Sequence, residues 1–151
     1  MSRFFVLAGA LLTVGCASAR LTDSQEYYVG RAMAAQSVAD APVHTDSALH
    51  EYVAKVGWSL ALTSDRPETY QGYNFLVLSK DEPAAWAAPG GFVFITTGAL
   101  KLMQNEDELA GVLAHEIAHV NLEHPEEVAQ DSANKAGVMN VFGFGAAVGA
   151  P

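Results

Sequence analysis

Residues 105–124 constrain the fold most, because they read as one amphipathic helix that carries a metal-binding motif. Asn105 is a good N-cap, and Glu108 three residues later completes a capping box. His115 and His119 are four residues apart, so both imidazoles project from one face and can reach a single metal ion. Glu116 lies about 100° round the helix, where it can contact a water bound to that metal. Apolar residues recur around this motif at helical spacing: Leu109, Val112, Leu113, Ile117 and Val120.

This HExxH arrangement predicts a Zn²⁺ site with His115 and His119 as ligands and Glu116 as general base. The competing interpretation is a structural histidine pair without a metal. With 5 histidines in the chain, chance alone produces only about 0.01 such motifs. The low chance frequency and the capped, amphipathic context favour the zinc site. His44 and His50, by contrast, are predicted to be surface or capping residues.

The composition limits the classes of partner. The chain has 151 residues, enough for one domain with a substantial core. Lysine and arginine number 8 against 17 aspartate and glutamate residues, which gives a net charge of −9. The basic residues are not clustered either. Electrostatic binding to nucleic acid or to anionic lipid headgroups is therefore not expected.

The N-terminus reads as a secretory signal peptide over residues 1–15, followed by a single domain over residues 16–151. Arg3 precedes an apolar run, residues 4–14, that is too short to span a bilayer. Gly15-Cys16 resembles a bacterial lipobox, which would make Cys16 a lipidated N-terminus. The competing cleavage site is Ala17-Ser18-Ala19. Cys16 is the only cysteine, which excludes a disulfide within the chain, and its position favours lipidation.

The remaining pattern predicts an α+β fold with a small antiparallel or mixed sheet. One helix is expected over residues 23–40, beginning at Asp23 or Ser24, and a second runs from an Asp46 cap to about residue 63. The packing stripe of the first helix is predicted to comprise Tyr28, Ala32, Ala35 and Ala39. Strands are expected over 73–79, in the middle of the sheet, and over 84–88 and 92–96, with a short helix over 98–103. Residues 136–151 contain no charged side chain and read as an element cut off in the middle.

Several linked motifs resemble the zinc metallopeptidase family M48, which includes HtpX-like proteases, the CAAX prenyl protease and short periplasmic lipoprotein peptidases. The resemblance covers about residues 27–136. Residues 87–96 (AAPGGFVFIT) resemble the family's strand beside the active site. Gly98-Ala99-Leu100 and residues 106–110 (EDELA) resemble its lead-in to the metal helix, and residues 115–120 followed by His124 resemble that helix.

The resemblance implies a zincin-like (gluzincin) domain, truncated at its C-terminal end, of a zinc-dependent metalloendopeptidase that acts in the bacterial envelope and hydrolyses peptide bonds. It implies Zn²⁺ on His115 and His119, and Glu116 as the base that takes a proton from the attacking water. The strand over 92–96 would be an edge strand beside the metal helix, and an extended or unfolded polypeptide substrate would pair with it. The expected substrate contacts are Gly91, Phe92, Val93, Phe94 and Ile95. Lipid attachment at Cys16 implies the periplasmic side of the outer membrane, the alternative being a soluble periplasmic or secreted protein.

Two departures from the family pattern leave other functions open. Ala84 stands where the family often has asparagine, and the glutamate that serves as third zinc ligand on a later helix has no counterpart in residues 137–151. His124 lies about 180° from His115, and Glu123 lies about 6 Å beyond His119 along the helix. The alternatives are a non-catalytic, chaperone-like binding lipoprotein and an inactive fragment. Retention of Glu116 favours the enzyme.

Overall fold

The computed structural model describes residues 21–122. In chain order the elements are helices α1 (Asp23–Asp40) and α2 (Ser47–Ala61), strands β1 (Asn74–Leu78), β2 (Ala85–Ala88) and β3 (Phe92–Thr96), and helices α3 (Thr97–Leu102) and α4 (Glu106–Asn121). The α+β class and the number of strands are as predicted. Cys16, Glu123, His124 and the predictions for residues 1–15 and 136–151 lie outside the described residues.

The caps explain where the first two helices begin. The hydroxyl of Thr22 accepts a hydrogen bond from the Gln25 amide, and Gln25 reciprocates to the Thr22 backbone, forming a capping box. The predicted cap at Asp23 or Ser24 is therefore wrong by one or two residues. Asp46 caps α2 as predicted, accepting hydrogen bonds from the amides of Ala48 and Leu49.

The packing face predicted for α1 is wrong. Tyr28 is 59% exposed, and Ala32, Ala35 and Ala39 are also exposed. The buried residues of α1 are instead Glu26, Gly30 and Ala34. This face could not be recognised by hydrophobicity, because it is built from a carboxylate, a glycine and an alanine.

The three strands form one mixed sheet with the order β1-β3-β2. β3 pairs parallel to β1 and antiparallel to β2. The central strand is therefore residues 92–96, and the prediction that this segment is an edge strand is wrong. The prediction that residues 73–79 form the middle of the sheet is also wrong, because β1 lies at one edge of the sheet. Both strands are continuous apolar runs, so their sequences do not reveal which of them is central.

The sheet lies between α1 on one face and α2 with α4 on the other. A smaller apolar cluster joins α1 to the sheet and includes Ala34, Leu78 and Phe94. The larger cluster joins α2 and α4 to the opposite face and includes Val53, Val93 and Leu113. α4 packs on the half of the sheet formed by β2 and β3. No helix within residues 21–122 is both long and apolar enough to cross a bilayer.

The turn between β2 and β3 is held by close backbone approach to α1. Gly90 and Gly91 have φ of 74° and 93°, a left-handed conformation that favours glycine. A Cβ on Gly90 would lie 2.5 Å from the Cα of Tyr27, and a Cβ on Gly30 would lie 1.8 Å from the carbonyl oxygen of Pro89. Helix α1 and this turn can therefore pack this closely only because each has a glycine at the contact, Gly30 in the helix and Gly90 in the turn.

Candidate metal centre

Helix α4 is anchored at its N-terminus by caps and by α2. The Asn105 side chain accepts a hydrogen bond from the Glu108 amide at 3.0 Å, and Glu108 accepts one from the Gln104 amide at 2.9 Å. The Tyr52 hydroxyl of α2 donates to Glu106 at 2.9 Å. The three acidic residues of the first turn also stabilise the positive end of the helix dipole. The helix ends at Asn121, with Leu122 as its C-cap.

The two histidines of α4 lie side by side with their ring nitrogens facing each other. The Nε2 atoms of His115 and His119 are 3.0 Å apart, and their rings cross at 84°. Two nitrogens bound to one tetrahedral zinc at 2.0–2.1 Å would be separated by about 3.4 Å. The pair therefore matches the spacing of a bidentate zinc ligand to within about 0.4 Å, and both side chains are partly exposed.

Glu116 occupies the buried side of the same helical turn. It is 2% exposed, whereas its neighbours His115 and His119 remain accessible. A carboxylate is a good proton acceptor, and Glu116 directly follows His115 in the chain. The structure thus places the two imidazoles of the motif in contact, and Glu116 on the buried side of the same helix.

Two imidazoles do not complete a catalytic zinc site, which normally has three protein ligands and one open position. Within residues 21–122 there is no group of three or more His, Cys, Asp or Glu side chains that could hold a metal ion. The candidates considered from the sequence, Glu123 and His124, lie beyond this range. The donor chemistry of the pair nevertheless suits zinc, which readily binds neutral imidazole nitrogens.

A partly buried polar network supports the last turn of α4 and was not predicted from the sequence. The Tyr73 hydroxyl lies 3.0 Å from Oδ1 of Asn121 and 2.9 Å from the Arg66 carbonyl oxygen. Burial raises the pKa of Tyr73, so this hydroxyl stays protonated and can donate to either acceptor. The guanidinium of Arg66 pairs with Glu26 of α1 at 2.8 Å, their side chains being 16% and 9% exposed. The network links α1 to the helix end two residues after His119.

Strand β2 lies beside α4 at one edge of the sheet. Within the described residues, no strand pairs with its outer side. The amide of Thr96 donates to the Ala84 carbonyl at 2.9 Å, and Trp86 pairs with Phe94 and Ala88 with Phe92. Since backbone groups alternate in direction along a strand, those of Ala85 and Ala87 point away from β3.

The residues predicted to bind substrate occupy the interior of the sheet. Gly91, Phe92, Val93, Phe94 and Ile95 lie at or within β3, whose two sides are occupied by β1 and β2. A peptide therefore cannot pair with this strand. Ala84, where the family often has asparagine, is 3% exposed, and its amide donates to the Thr96 hydroxyl at 3.0 Å.

Comparison with known proteins agrees with this arrangement. The model of Peptidase family M48 matches residues 47–150. The chain is 29% identical over 138 residues to the beta-barrel assembly-enhancing protease of Escherichia coli (strain K12), covering 91% of this chain and 26% of that protein. It is 32% identical over 120 residues to the putative beta-barrel assembly-enhancing protease of Vibrio cholerae, covering 80% of this chain and 24% of that protein.

A third relative is the mitochondrial metalloendopeptidase OMA1 of Schizosaccharomyces pombe, 45% identical over 59 residues, which are 39% of this chain and 15% of that protein. The chain thus spans about a quarter of the length of the bacterial relatives that it matches. The family match covers more than half of the chain and includes α2, the whole sheet and the histidine pair of α4. The chain therefore belongs to peptidase family M48.

Proposed function

We propose that the chain carries the active-site helix of a zinc metalloendopeptidase with a zincin-like fold. The observation that carries the proposal is the His115–His119 pair, whose Nε2 atoms are 3.0 Å apart on a helix that also holds Glu116. Membership of a metallopeptidase family supports the same reading.

The residues divide the chemistry between them. His115 and His119 would hold zinc through their Nε2 atoms, which requires both imidazoles to be neutral. Held by these residues, zinc would supply a Lewis acid for the scissile carbonyl and for the attacking water. Glu116 accepts the proton of the attacking water at its carboxylate and returns it to the leaving amine. The buried side of α4 keeps this carboxylate fixed in orientation.

The substrate is an extended polypeptide that pairs with the outer edge of β2. Ala85 and Ala87 direct their amide and carbonyl groups away from β3, as the register requires. Main-chain pairing holds an extended segment without selecting its sequence. Their methyl side chains leave room for the residues of such a segment, and α4 packs beneath the same strand.

The test is cleavage of a quenched casein by the full-length protein. We expect 1,10-phenanthroline to abolish turnover and added zinc to restore it. Ala87→Pro removes one outward amide and leaves the β2–β3 pairing intact, so it should lower kcat/KM by about 5–10-fold without releasing zinc. Turnover that persists without metal would overturn the proposed chemistry. Full activity of Ala87→Pro would overturn only the substrate edge.

The proposed location is the periplasmic side of the bacterial outer membrane, with a lipid anchor on Cys16. Support comes from the apolar run ending at Gly15-Cys16 and from two bacterial relatives named as beta-barrel assembly-enhancing proteases. Cys16→Ala should move the protein from the membrane to the soluble fraction, with Ser18→Ala as the matched control. Equal membrane association of both variants would contradict lipid anchoring.

A further inference from the structure

The two histidines of α4 differ in how firmly the helix itself holds them. His119 lies in the last turn and is followed by two further helical residues, Val120 and Asn121. His115 lies one turn earlier, in the interior of the helix. Because the ends of helices fray, the position of His119 depends on what holds this last turn, whereas that of His115 depends on it less.

Val120 and Asn121 attach the last turn to the rest of the described domain. The Val120 side chain is buried in the larger apolar cluster. The Oδ1 atom of Asn121 lies 3.0 Å from the Tyr73 hydroxyl. Asn121 is two residues beyond His119, so their side chains leave the helix in roughly opposite directions, about 160° apart. Tyr73 therefore reaches the histidine only through the backbone of the last turn.

Tyr73 is itself held firmly. It lies directly before β1 and is 7% exposed. Its ring stacks on that of Phe75, with the ring centroids 6.1 Å apart and the ring planes 15° apart. The Trp58 indole of α2 donates a hydrogen bond to its backbone carbonyl at 3.2 Å. The hydroxyl is thus a fixed point at the start of β1, to which the end of α4 is attached.

The second acceptor of the Tyr73 hydroxyl connects the same point to α1. The hydroxyl lies 2.9 Å from the Arg66 carbonyl oxygen. The guanidinium of Arg66 pairs with Glu26 at 2.8 Å, in a largely buried contact, and with Asp23 at 3.0 Å. Water and salt screen a buried pair less than an exposed one. The Tyr73 hydroxyl therefore lies between a loop that is fastened to α1 and the last turn of α4.

We propose that Tyr73 is a positioning residue for the zinc ligand His119, acting through Asn121 and the last turn of α4. The role rests on the proposed function, in which His119 binds zinc. Functional side chains must be held to within about 0.5 Å by the packing and hydrogen bonds around them. Loss of an outer contact of this kind lowers metal affinity by about 10–100-fold. Tyr73 acts through the helix rather than on the imidazole, so we expect the lower end of this range.

Tyr73→Phe tests the role, because it removes the hydroxyl and keeps the ring that stacks on Phe75. In the full-length protein, we expect the Kd for zinc, measured by competition with a chelator, to rise by about 10-fold. In the zinc-free protein, the Leu122 amide donates to the Ala118 carbonyl at 3.0 Å. Its hydrogen exchange should become about 5-fold faster when the last turn loses its hydrogen bond to Tyr73. With saturating zinc, kcat should fall and KM should not change, because the substrate edge on β2 is unaltered.

Tyr52→Phe is the matched control at the other end of the same helix. The Tyr52 hydroxyl donates to Glu106 at 2.9 Å, so this variant also removes one phenolic hydrogen bond to α4. Glu106 lies in the first turn, more than two turns before His115, so the Kd for zinc should not change. Leu76→Ala trims a side chain that packs on the smaller apolar cluster, across the sheet from α4. It should lower the urea midpoint of unfolding and leave the Kd for zinc unchanged, which separates positioning from a general loss of stability.

Asn121→Ala tests the route from Tyr73 to the histidine. It removes the same hydrogen bond from the other side, so it should weaken zinc binding as much as Tyr73→Phe does. The double variant should bind zinc no more weakly than either single variant, because both act through one contact.

Three results would overturn the positioning role. They are parental zinc affinity in Tyr73→Phe, equal weakening of zinc binding by Tyr52→Phe, and additive effects of Tyr73→Phe and Asn121→Ala. A parent protein that binds zinc but cleaves no peptide would overturn the proposed function, and the zinc measurements would still decide the role of Tyr73. A parent protein that binds no zinc would overturn both.

Discussion

Glu116→Gln should lower peptide cleavage by about 10²–10⁴-fold while zinc stays bound. Glutamine keeps the size of the buried side chain and removes its capacity to accept a proton. Glu116 as a residue is 2% exposed, so bulk water cannot readily replace its role. The measurement is kcat on a quenched peptide together with the zinc content of the purified full-length protein.

Two matched variants separate this effect from loss of metal or of charge. His119→Ala removes one of the two facing nitrogens and should release zinc, so activity and metal are lost together. Asp107→Asn makes the same acid-to-amide change on an exposed turn of α4 and should leave kcat nearly unchanged. Parental activity in Glu116→Gln would exclude this residue as the base. A parent that binds peptide and zinc but never cleaves would support the non-catalytic alternative.

Gly30→Ala should destabilise the protein by about 2–3 kcal/mol despite the better helix propensity of alanine. The added Cβ would lie 1.8 Å from the Pro89 carbonyl oxygen and 2.8 Å from its carbon. These are backbone atoms of a tight turn, which cannot move aside as a side-chain tip can. The check is the urea midpoint of unfolding.

Ala32→Leu is the matched control on the same helix. Ala32 is exposed, so the larger side chain should change the free energy of unfolding by less than about 0.5 kcal/mol. If Ala32→Leu lowered the free energy of unfolding more than Gly30→Ala, the result would contradict the observed packing face of α1. It would instead support the face predicted from the sequence.

The positions of the candidate site residues were predictable because a motif depends only on local helix geometry. Asn105, His115, Glu116 and His119 belong to one helix and its cap, so their relative positions follow from 3.6 residues per turn. The caps of α2 and α4 follow from the same short-range rules. The start of α1 was predicted wrongly, because the side chains of Asp23 and Ser24 are as suitable for N-capping as that of Thr22, which is the actual N-cap.

The order of strands in the sheet and the contacts between buried side chains were not predictable, because both depend on segments that are far apart in the sequence. β1 and β3 have similar apolar sequences, and nothing in either sequence says which lies between two neighbours. For this reason residues 92–96 were wrongly predicted to form an edge strand. Arg66, Tyr73 and Asn121 lie in three separate segments of the sequence, and only the fold brings them together.

The contact between Gly30 and Pro89 also sets an order of events during synthesis of the chain. The β2–β3 hairpin closes over a few residues, whereas α1 must wait for a turn roughly 60 residues further along before it has a surface to pack on. Among the described elements, the helix that is synthesised first therefore stays undocked while about 60 further residues are added. Until then Tyr27, Met33 and Val38, which pack against the smaller apolar cluster in the folded protein, remain in contact with water or with a chaperone.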